Sequence, residues 1–384
     1  MKTRILFFLC LNILFLNSPV SSAVIHVKKD GTGDFSIIQD AVDAATDGDT
    51  ILIGPGRYVD FEPFDSGNWI NEIIVVFQNK SNITLIGSGA ESTIIGPTSY
   101  YAPNGEDPQI IMGWSADNIR LEGIRVENCE FGIVWNSGSL SVGNCVVSNC
   151  RRGVYSFSPD GTIIENSEFF QPGGGWSIVT NGECRDVTIK DSSFHGSGTG
   201  VGFNQTQNAN VISCNFENLW TAIGYSGDSE GQVTGCNTSN VENPVFISTG
   251  SQLLLLDNVL EATEVSLFLS GNSHASGTRN VFSGGGTVFG TLNFSGGSTA
   301  DLSGNHILRG EGLAVSLIYY FYEQYVINLT GNYWGTSNVE TIEEWIHDGN
   351  DDSSIHGTVN FLPLADGPVP TENTTLDGLK AMYR

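Results

Sequence analysis

A repeat of about 22 residues runs through most of this chain and limits its fold more than any other feature. Each repeat contains one residue suited to a bend, which is Gly, Asn, Asp, Ser or Arg. These bend residues are Gly123, Asn144, Asn166, Asp191, Ser213, Gly235, Asp257, Arg279, Gly304 and Gly331. A fixed period of this length indicates a solenoid, in which each repeat forms one coil and stacks on its neighbours.

Three apolar columns keep phase with the bend. Three residues after it come Val126, Val147, Phe169, Phe194, Phe216, Thr238, Leu260, Phe282, Ile307 and Trp334. Two residues before it come Leu121, Val142, Ile164, Ile189, Val211, Val233, Leu255, Gly277, Leu302 and Leu329. On the far side of each turn are Ile133, Val154, Ile178, Val201, Ile223, Val245 and Leu267. Apolar residues alternate around each bend, which is strand spacing interrupted by a kink. The pattern predicts an all-β, right-handed parallel β-helix with coils of roughly 22 residues.

The position directly after the bend is polar in the later repeats. Its last four members are Asn258, Asn280, Asn305 and Asn332. Side-chain amides that stack in register can pass hydrogen bonds from coil to coil. We therefore expect these four residues to form a structural asparagine ladder.

The N-terminus has the features of an export signal. Lys2 and Arg4 precede an apolar run over 5–16, and Ser21-Ser22-Ala23 provides the small residues of a cleavage site. We predict a signal peptide over 1–23 and a mature protein that is extracellular, at the cell surface or periplasmic. No later segment is apolar enough to predict a membrane span.

The repeat defines one predicted domain. The β-helix is expected over 24–364, because the pattern stops after Pro363. The remainder, 365–384, carries Pro, Gly and Thr at its start and is predicted as a linker and C-terminal tail.

Both ends of a parallel solenoid expose strand edges that must be covered. Ser36 and Gln39 have the spacing of a capping box, which predicts an amphipathic helix over about 36–46. The same spacing from Ser337 predicts a second helix over about 338–348. We expect the two helices to cap the ends of the solenoid.

Segments near both ends of the repeat resemble a known superfamily. They are Asp30-Gly31-Thr32-Gly33-Asp34-Phe35, Gly54-Pro55-Gly56-Arg57-Tyr58 and Gly331-Asn332-Tyr333-Trp334-Gly335-Thr336. The first two resemble the entry segment of the pectin lyase-like superfamily, and the third resembles the closing segment of many secreted bacterial β-helix-repeat proteins. Asparagine ladders occur in the pectate lyase family, which this chain resembles in architecture. The resemblance implies the β-helix fold and a carbohydrate ligand, although many chemistries share this fold.

Catalytic segments known in that superfamily are missing from the sequence. It has neither the Asp-Phe-Ile-Phe-Gly nor the Leu-Gly-Arg-Pro-Trp of pectin methylesterases. The Asn-Thr-Asp, Asp-Asp and Gly-His-Gly series of polygalacturonases is absent, as are the Asp-His and Arg-x-Pro-x-x-Arg of classical pectate lyases. The resemblance therefore assigns no catalytic residue.

The chain is strongly acidic, with 16 Lys and Arg against 42 Asp and Glu and a formal net charge of −26. Such a field repels polyanions and excludes nucleic acid as a partner. Six basic residues nevertheless share adjacent repeats, namely Arg120, Arg125, Arg151, Arg152, Arg185 and Lys190.

Glu165, Glu168 and Lys190 fall at outward positions in this basic stretch. Carboxylates beside a base can perform acid–base chemistry on a glycan, by hydrolysis or elimination, so these three are candidate catalytic residues. The alternative is a salt bridge between Glu165 and Lys190 on adjacent coils, without turnover.

Aromatic residues divide by their phase in the repeat. The inward phase contains Trp135, Phe203 and Tyr225, which we expect in the core. Tyr155, Phe246 and Phe268 lie one residue earlier and face outward, where an apolar row can stack on sugar rings. With Arg125, these three are the candidate ligand-binding residues.

Two further patterns leave alternatives open. Asp348, Asn350 and Asp352 offer alternating oxygen ligands suited to calcium, or form an acidic turn that ends the second helix. Export would permit disulfides, and two pairs of cysteines share columns of adjacent coils, namely Cys129 with Cys150 and Cys214 with Cys236. These pairs are either disulfides or ladders of free thiols that act as small core residues.

Two classes of function follow from these patterns. The first is an exported β-helix protein that binds polysaccharide or has a structural role at a surface, without turnover. The second is a polysaccharide lyase or glycoside hydrolase of a divergent type. Polysaccharide is the expected partner in both, and calcium is the cofactor that the sequence suggests.

Overall fold

The computed structural model describes residues 22–65, 70–103, 107–319 and 324–368. Over these ranges the chain forms a right-handed parallel β-solenoid of about 13 turns, which confirms the predicted fold. Most of the predicted signal peptide, 1–21, lies outside the described residues, as does 369–384 of the predicted tail. No helix within the described ranges is both long and apolar enough to cross a membrane.

Three sheets run along the solenoid. Sheet A has 14 strands within the described residues. They are β1 (Val24–Val27), β2 (Thr50–Ile53), β6 (Thr84–Gly87), β9 (Ile119–Glu122), β12 (Leu140–Gly143), β15 (Ile163–Glu165), β18 (Cys184–Lys190), β21 (Thr206–Ile212), β24 (Glu230–Thr234), β27 (Gln252–Leu256), β30 (His274–Thr278), β33 (Thr299–Leu302), β36 (Tyr325–Asn328) and β38 (Gly357–Asn360).

Sheet B follows the bend in each coil and has 11 strands in the described part of the chain. They are β3 (Gly56–Tyr58), β7 (Thr93–Ile95), β10 (Arg125–Glu127), β13 (Val146–Ser148), β16 (Glu168–Gln171), β19 (Ser193–Gly196), β22 (Asn215–Glu217), β25 (Asn237–Val241), β28 (Val259–Ala262), β31 (Val281–Gly284) and β34 (His306–Arg309).

Sheet C completes each coil, with 13 strands among the described residues. They are β4 (Glu62–Asp65), β5 (Ile70–Gln78), β8 (Gln109–Trp114), β11 (Phe131–Asn136), β14 (Arg152–Phe157), β17 (Trp176–Asn181), β20 (Thr199–Asn204), β23 (Thr221–Ser226), β26 (Asn243–Ile247), β29 (Leu267–Leu269), β32 (Leu292–Ser295), β35 (Val315–Ile318) and β37 (Ile346–His347). β4 pairs antiparallel with β5, whereas the other neighbours are parallel.

The bend between sheets A and B depends on left-handed backbone conformation. All ten predicted bend residues have φ between 49° and 70°. Gly, Asn and Asp tolerate this region best, which explains their frequency in the column. Arg279 is an exception, and its guanidinium donates to both carboxylate oxygens of Asp257, the bend residue of the preceding coil, at 2.7 and 2.6 Å.

The interior is formed by the predicted apolar columns. Their apolar side chains are buried, and the predicted core aromatics Trp135, Phe203 and Tyr225 are exposed by no more than 1%. Phe169, Phe194 and Phe216 stack with ring centroids 5.0 and 4.7 Å apart. Such offset stacks add to the burial of apolar surface that holds the coils together.

The asparagine ladder is present and fully buried. The Nδ2 of Asn258 donates to Asn280 at 2.8 Å, Asn280 to Asn305 at 2.9 Å, and Asn305 to Asn332 at 3.2 Å. Each acceptor oxygen also receives the backbone N–H of the preceding ladder residue, as at Asn258 with 3.1 Å to Asn280. The ladder therefore satisfies backbone donors that follow the bends, and its role is structural.

The two helices are short and are capped differently from the prediction. Helix α1 spans Ile38–Ala44, and its N-cap is Ile37, whose side chain offers no capping oxygen. Gln39 instead binds the backbone of Val76 in strand β5, accepting at 2.7 Å and donating at 3.2 Å. Its amide is used to dock the helix on sheet C, so the predicted capping box is wrong.

Helix α2 spans Val339–Glu343 at the other end of the solenoid. The capping residue is Asn338, one position after the predicted Ser337, and its side chain accepts from the N–H of Thr341 at 3.1 Å. Asn and Ser are both good N-caps, so the local sequence allowed either start. Ile342 is buried, and this places the helix against the core.

Candidate functional site

The outer face of sheet C carries a groove of about 680 Å³. It extends across strands β14 to β29, parallel to the solenoid axis. Alternate residues of a strand face outward, and in-register stacking turns each outward position into a column. One column forms the floor of the groove, and residues at the two ends of the strands form its walls.

The floor has two glycines at its centre. Its column contains Tyr155, Val179, Gly202, Gly224, Phe246 and Phe268, which pair in register through consecutive strands. The Trp176 ring lies over Gly202, where an added Cβ would be 2.3 Å from Cζ3 of the indole. Gly224 is uncovered, because the nearest atom to an added Cβ would be 3.9 Å away. The depression in the floor therefore lies above Gly224, between the covered Gly202 and Phe246.

One wall of the groove presents two indole rings. Trp176 begins strand β17, and Trp220 directly precedes strand β23. Their exposed fractions are 42% and 60%, although both lie beside an apolar floor. A contiguous exposed aromatic surface of this kind is typical of a ligand contact.

The opposite wall is polar. The Nδ2 of Asn204 donates to Oδ1 of Asn181 at 2.8 Å, and Ser226 Oγ lies 3.4 Å from Oδ1 of Asn204. The Asn181 amide also reaches the Tyr155 hydroxyl at 3.4 Å. Amides and hydroxyls can donate and accept, so this wall offers both partners that a sugar hydroxyl requires.

A second section continues the groove toward the N-terminal coils. Its volume is about 560 Å³, and it shares Arg152 and Tyr155 with the first section. Trp114 and Phe131 also line it. The two sections form one surface that spans nine strands of sheet C, from β5 to β29.

The structure brings together three of the four predicted ligand-binding residues. Tyr155, Phe246 and Phe268 line the first section, and the rings of Phe246 and Phe268 stack at 5.1 Å with an interplanar angle of 4°. Arg125 lies on sheet B instead. Its guanidinium contacts the carboxylate of Glu91 and donates to the carbonyl of Ala90 at 3.2 Å.

The repeat pattern did not predict Trp176 or Trp220 as site residues. Trp176 stands two residues before the buried Ile178, so alternation predicts an inward side chain, whereas the structure leaves it exposed at the start of the strand. Trp220 lies in the loop before a strand, where the repeat defines no inward or outward phase.

The three candidate catalytic residues do not form one cluster. Glu165 and Lys190 pair in register on sheet A, and their charged atoms lie 2.9 Å apart. The hydrogen bond from the Lys190 ammonium lowers the pKa of Glu165, and the same bond raises the pKa of Lys190. Glu168 lies beyond the bend on sheet B and is exposed.

Glu168 lines a separate, mostly polar cavity of about 580 Å³. Asp191 and His195 share this cavity, and His195 Nδ1 lies 3.4 Å from a carboxylate oxygen of Glu217. A carboxylate near an imidazole can support acid–base chemistry. Neither Glu165 nor Lys190 lines the cavity.

The candidate calcium ligands use their oxygens for backbone contacts. Asp348 is 2% exposed, and its carboxylate accepts from the N–H of Asn350 and of Val359, each at 2.7 Å. Asp352 accepts from the N–H of Ser354 at 2.8 Å. The N–H and hydroxyl of Ser354 lower the pKa of Asp352. These contacts organise the turn after helix α2. An acidic turn of this kind was the alternative to a calcium site in the sequence.

The cysteines from Cys129 onward are free and buried. Burial raises the pKa of Cys129 to about 12 and that of Cys145 to about 11. Burial likewise raises the pKa of Cys236, which packs against Cys214. The structure therefore has thiol ladders at both predicted pairs.

Two family models match parts of the chain. One, described as a right handed beta helix region, matches residues 177–307. The other, described as periplasmic copper-binding protein (NosD), matches residues 66–226. No curated protein sequence matches the chain.

Solved structures with the same architecture are similar at low sequence identity. The catalytic domain of Agl-KA is 13% identical with a TM-score of 0.52, over 91% of this chain and 69% of that one. A GH87 alpha-1,3-glucanase from Streptomyces thermodiastaticus is 12% identical with a TM-score of 0.47, over 93% and 71%. An exopolygalacturonase from Thermotoga maritima is 10% identical with a TM-score of 0.42, over 68% and 76%. At 13% identity, the similarity to the Agl-KA catalytic domain supports the fold of this chain and says nothing about its activity.

The residues present do not fit a copper site. Copper in proteins prefers imidazole, thiolate and thioether ligands held in a defined geometry. Within the described ranges no group of three or more His, Cys, Asp and Glu side chains is placed to hold a metal. The cysteines of those ranges are all buried.

Proposed function

We propose that this chain, a right-handed parallel β-helix protein of the pectin lyase-like superfamily, binds a glycan along the outer face of sheet C. The observation that carries the proposal is the groove, which has indoles on one wall and amides on the other. Pyranose rings have apolar C–H faces and a polar rim, so they require both kinds of surface.

The length of the groove supports an oligosaccharide. From β5 to β29 it crosses eight strand spacings, which amounts to about 38 Å at about 4.8 Å each. The depression above Gly224 and the exposed ring of Trp220 would then be contacts for one stretch of a longer chain. A polymer held along the solenoid axis would meet the same columns in successive coils.

We also propose an extracytoplasmic location, namely outside the cell, at its surface or in the periplasm. The basic and apolar start of the sequence followed by small residues supports export. The family model that matches residues 66–226 describes a periplasmic protein and supports the same location.

The test is binding of the purified protein to a panel of immobilised polysaccharides, with release of reducing ends and of unsaturated-sugar absorbance followed in parallel. Binding to one class of glycan without product release is the expected result. Absence of binding across neutral and acidic polymers by correctly folded protein would reject the proposal and leave a structural surface role.

Turnover is the second candidate function, as a divergent polysaccharide lyase or glycoside hydrolase. It is favoured by the cavity that Glu168 shares with Asp191 and His195. Release of product from any polymer, abolished in Glu168→Gln with binding retained, would establish it. The Glu165→Gln variant should keep activity, because that carboxylate is paired with Lys190 and lies outside the cavity.

A further inference from the structure

The groove contains one guanidinium with an unusual environment. Arg152 lies where the two sections meet, with its Cζ 4.6 Å from the centroid of the Tyr155 ring and 5.1 Å from that of Phe131. The two rings hold the guanidinium in place by cation–π contacts. Among the residues that the structure describes, no carboxylate forms a salt bridge with it.

Several nearby basic residues behave differently, although the exposed Arg185 on sheet A likewise forms no salt bridge with a described residue. Arg151 contacts Glu130, Arg125 contacts Glu91, and Lys190 pairs with Glu165. In a chain with 42 acidic and 16 basic residues, a carboxylate is available to most cations. The groove therefore holds a cation that two aromatic rings position and that forms no salt bridge with a described residue.

Arg152 is the sole basic residue among those that line either section, and Asp107, at the far end, is the sole acidic one. A ligand with a charge on every sugar would meet one cation and the repulsion of a protein with a net charge of −26. A ligand with a single acidic group at the right place would keep the one favourable contact.

We propose that the groove selects a largely neutral glycan that carries one acidic substituent, a carboxylate or a sulfate, and that Arg152 binds this substituent. The inference rests on the proposed glycan-binding function and adds its specificity. Arg152 pairs in register with Trp176, so the acidic group belongs to the sugar next to the one that stacks on this indole. A planar guanidinium can donate two parallel hydrogen bonds to either oxyanion.

The experiment uses oligosaccharides of xylose, glucose and galactose, each as the neutral chain, with one glucuronic acid and with one sulfate, together with hexagalacturonate. Affinities are measured by calorimetry for the wild-type protein, Arg152→Gln, Arg152→Lys and the control Arg185→Gln. Arg185 is exposed on sheet A, away from the groove, so the control loses the same charge.

The acidic form of the preferred chain should bind about 10- to 100-fold more tightly than its neutral form, the range expected for a charge-assisted hydrogen bond. Arg152→Gln should remove this preference and leave the neutral affinity unchanged, Arg152→Lys should keep part of it, and Arg185→Gln should keep all of it. Comparison of the carboxylate and sulfate forms shows which of the two groups Arg152 binds more tightly.

Three results would each overturn the inference. They are equal affinity for the neutral and acidic forms, tightest binding of hexagalacturonate, and an equal loss of both affinities in a folded Arg152→Gln protein. In each of these cases the glycan-binding function still stands. Absence of binding to every oligosaccharide by folded wild-type protein would reject both proposals. Thermal unfolding curves of all four proteins report whether they are folded.

Discussion

Gly224 pairs in register with Phe246 of the next strand in sheet C, and the floor of the groove is open above this glycine. An added Cβ at Gly224 would meet only backbone oxygens, at 3.9 and 4.0 Å. At Gly202, one coil earlier, the same atom would collide with the Trp176 ring. A larger side chain therefore fits at Gly224 but not at Gly202. Gly224 is the position at which a substitution can fill the groove.

Gly224→Leu should abolish glycan binding and leave the fold intact. The new side chain would project into the depression, whereas a strand interior loses no packing and gains β-propensity when glycine is replaced. Affinity measured by calorimetry should fall by at least about tenfold, with the unfolding midpoint unchanged or higher. Gly367→Leu is the control, since nothing lies within 4 Å of its added Cβ and it lines neither groove section. Retained binding in Gly224→Leu would place the ligand elsewhere.

Trp220→Ala should weaken binding without lowering stability. The indole is 60% exposed, so its removal sacrifices little buried surface and opens no cavity. Aromatic contacts of this size contribute about 1 kcal/mol or more, which corresponds to a loss of about 5- to 10-fold in affinity. Phe170→Ala serves as the control, because Phe170 is 47% exposed but lies on sheet B. A similar loss in both variants would indicate a general effect of surface apolarity.

Asn280→Ala should destabilise the solenoid by roughly 2–3 kcal/mol. The Asn280 side chain accepts from the N–H and the amide of Asn258, and it donates to Asn305 and to the carbonyl of Leu255. Its loss leaves several buried groups without partners. The shift is read from the urea midpoint.

Asn237→Ala is the matched control for the ladder. This residue also contacts an asparagine of the neighbouring coil, Asn215, at 3.3 Å, but both lie at the surface. Water replaces the lost bond there, so the change should be within about 0.5 kcal/mol. Equal effects of Asn237→Ala and Asn280→Ala would contradict the structural importance of burial in the ladder.

The pKa of Glu165 should depend on Lys190. The ammonium lowers that pKa below the ordinary value of 4.5. The ionised carboxylate therefore stabilises the fold at pH values above its ordinary pKa, and this contribution is lost as the pH falls through the lowered pKa. The pKa of Lys190 is raised above 10.5, so its contribution is lost as pH rises through the raised value. In Lys190→Gln, a carboxyl carbon NMR titration should show the Glu165 pKa returning toward 4.5. An unchanged titration would mean that the pair does not form in solution.

The buried thiols should resist alkylation in the native protein. Burial raises the pKa of Cys129 to about 12 and that of Cys145 to about 11, and the thiolate is the reactive form. Mass spectrometry after iodoacetamide at pH 8 should show no modification of Cys129, Cys145, Cys150, Cys184, Cys214 or Cys236, whereas unfolded protein should be modified at all six. Residues that stay unmodified after unfolding without reductant, and react once it is added, would indicate disulfides.

The repeat in the sequence was sufficient for the fold. Bend residues such as Asn144 and Gly235 recur because only certain residues tolerate a left-handed backbone, and columns such as the one through Phe194 recur because every coil must bury the same position. The ladder at Asn280 followed from the same periodicity. In a solenoid each coil contacts its neighbours, so a position in the repeat determines both the direction of a side chain and the residues beside it.

The candidate site followed from the sequence only in part. Phase predicted that Tyr155, Phe246 and Phe268 face outward, whereas the fourth predicted ligand-binding residue, Arg125, lies on another sheet beside Glu91. The repeat predicts Glu165 and Glu168 in separate outward columns of one patch, but the bend places these columns on different sheets.

The tertiary structure decided where a ligand can lie. A groove requires walls from several coils and a floor low enough between them, and these depend on the sizes of side chains in adjacent strands. Gly224 is deep because Phe246 stands beside it, and Trp220 forms a wall because its loop directs it over the same sheet. The sequence by itself determined the coils and their buried columns, since those depend on local conformation and burial repeated in every unit. The groove forms where residues depart from the repeat. Only the tertiary structure shows which of these residues lie next to one another in adjacent coils.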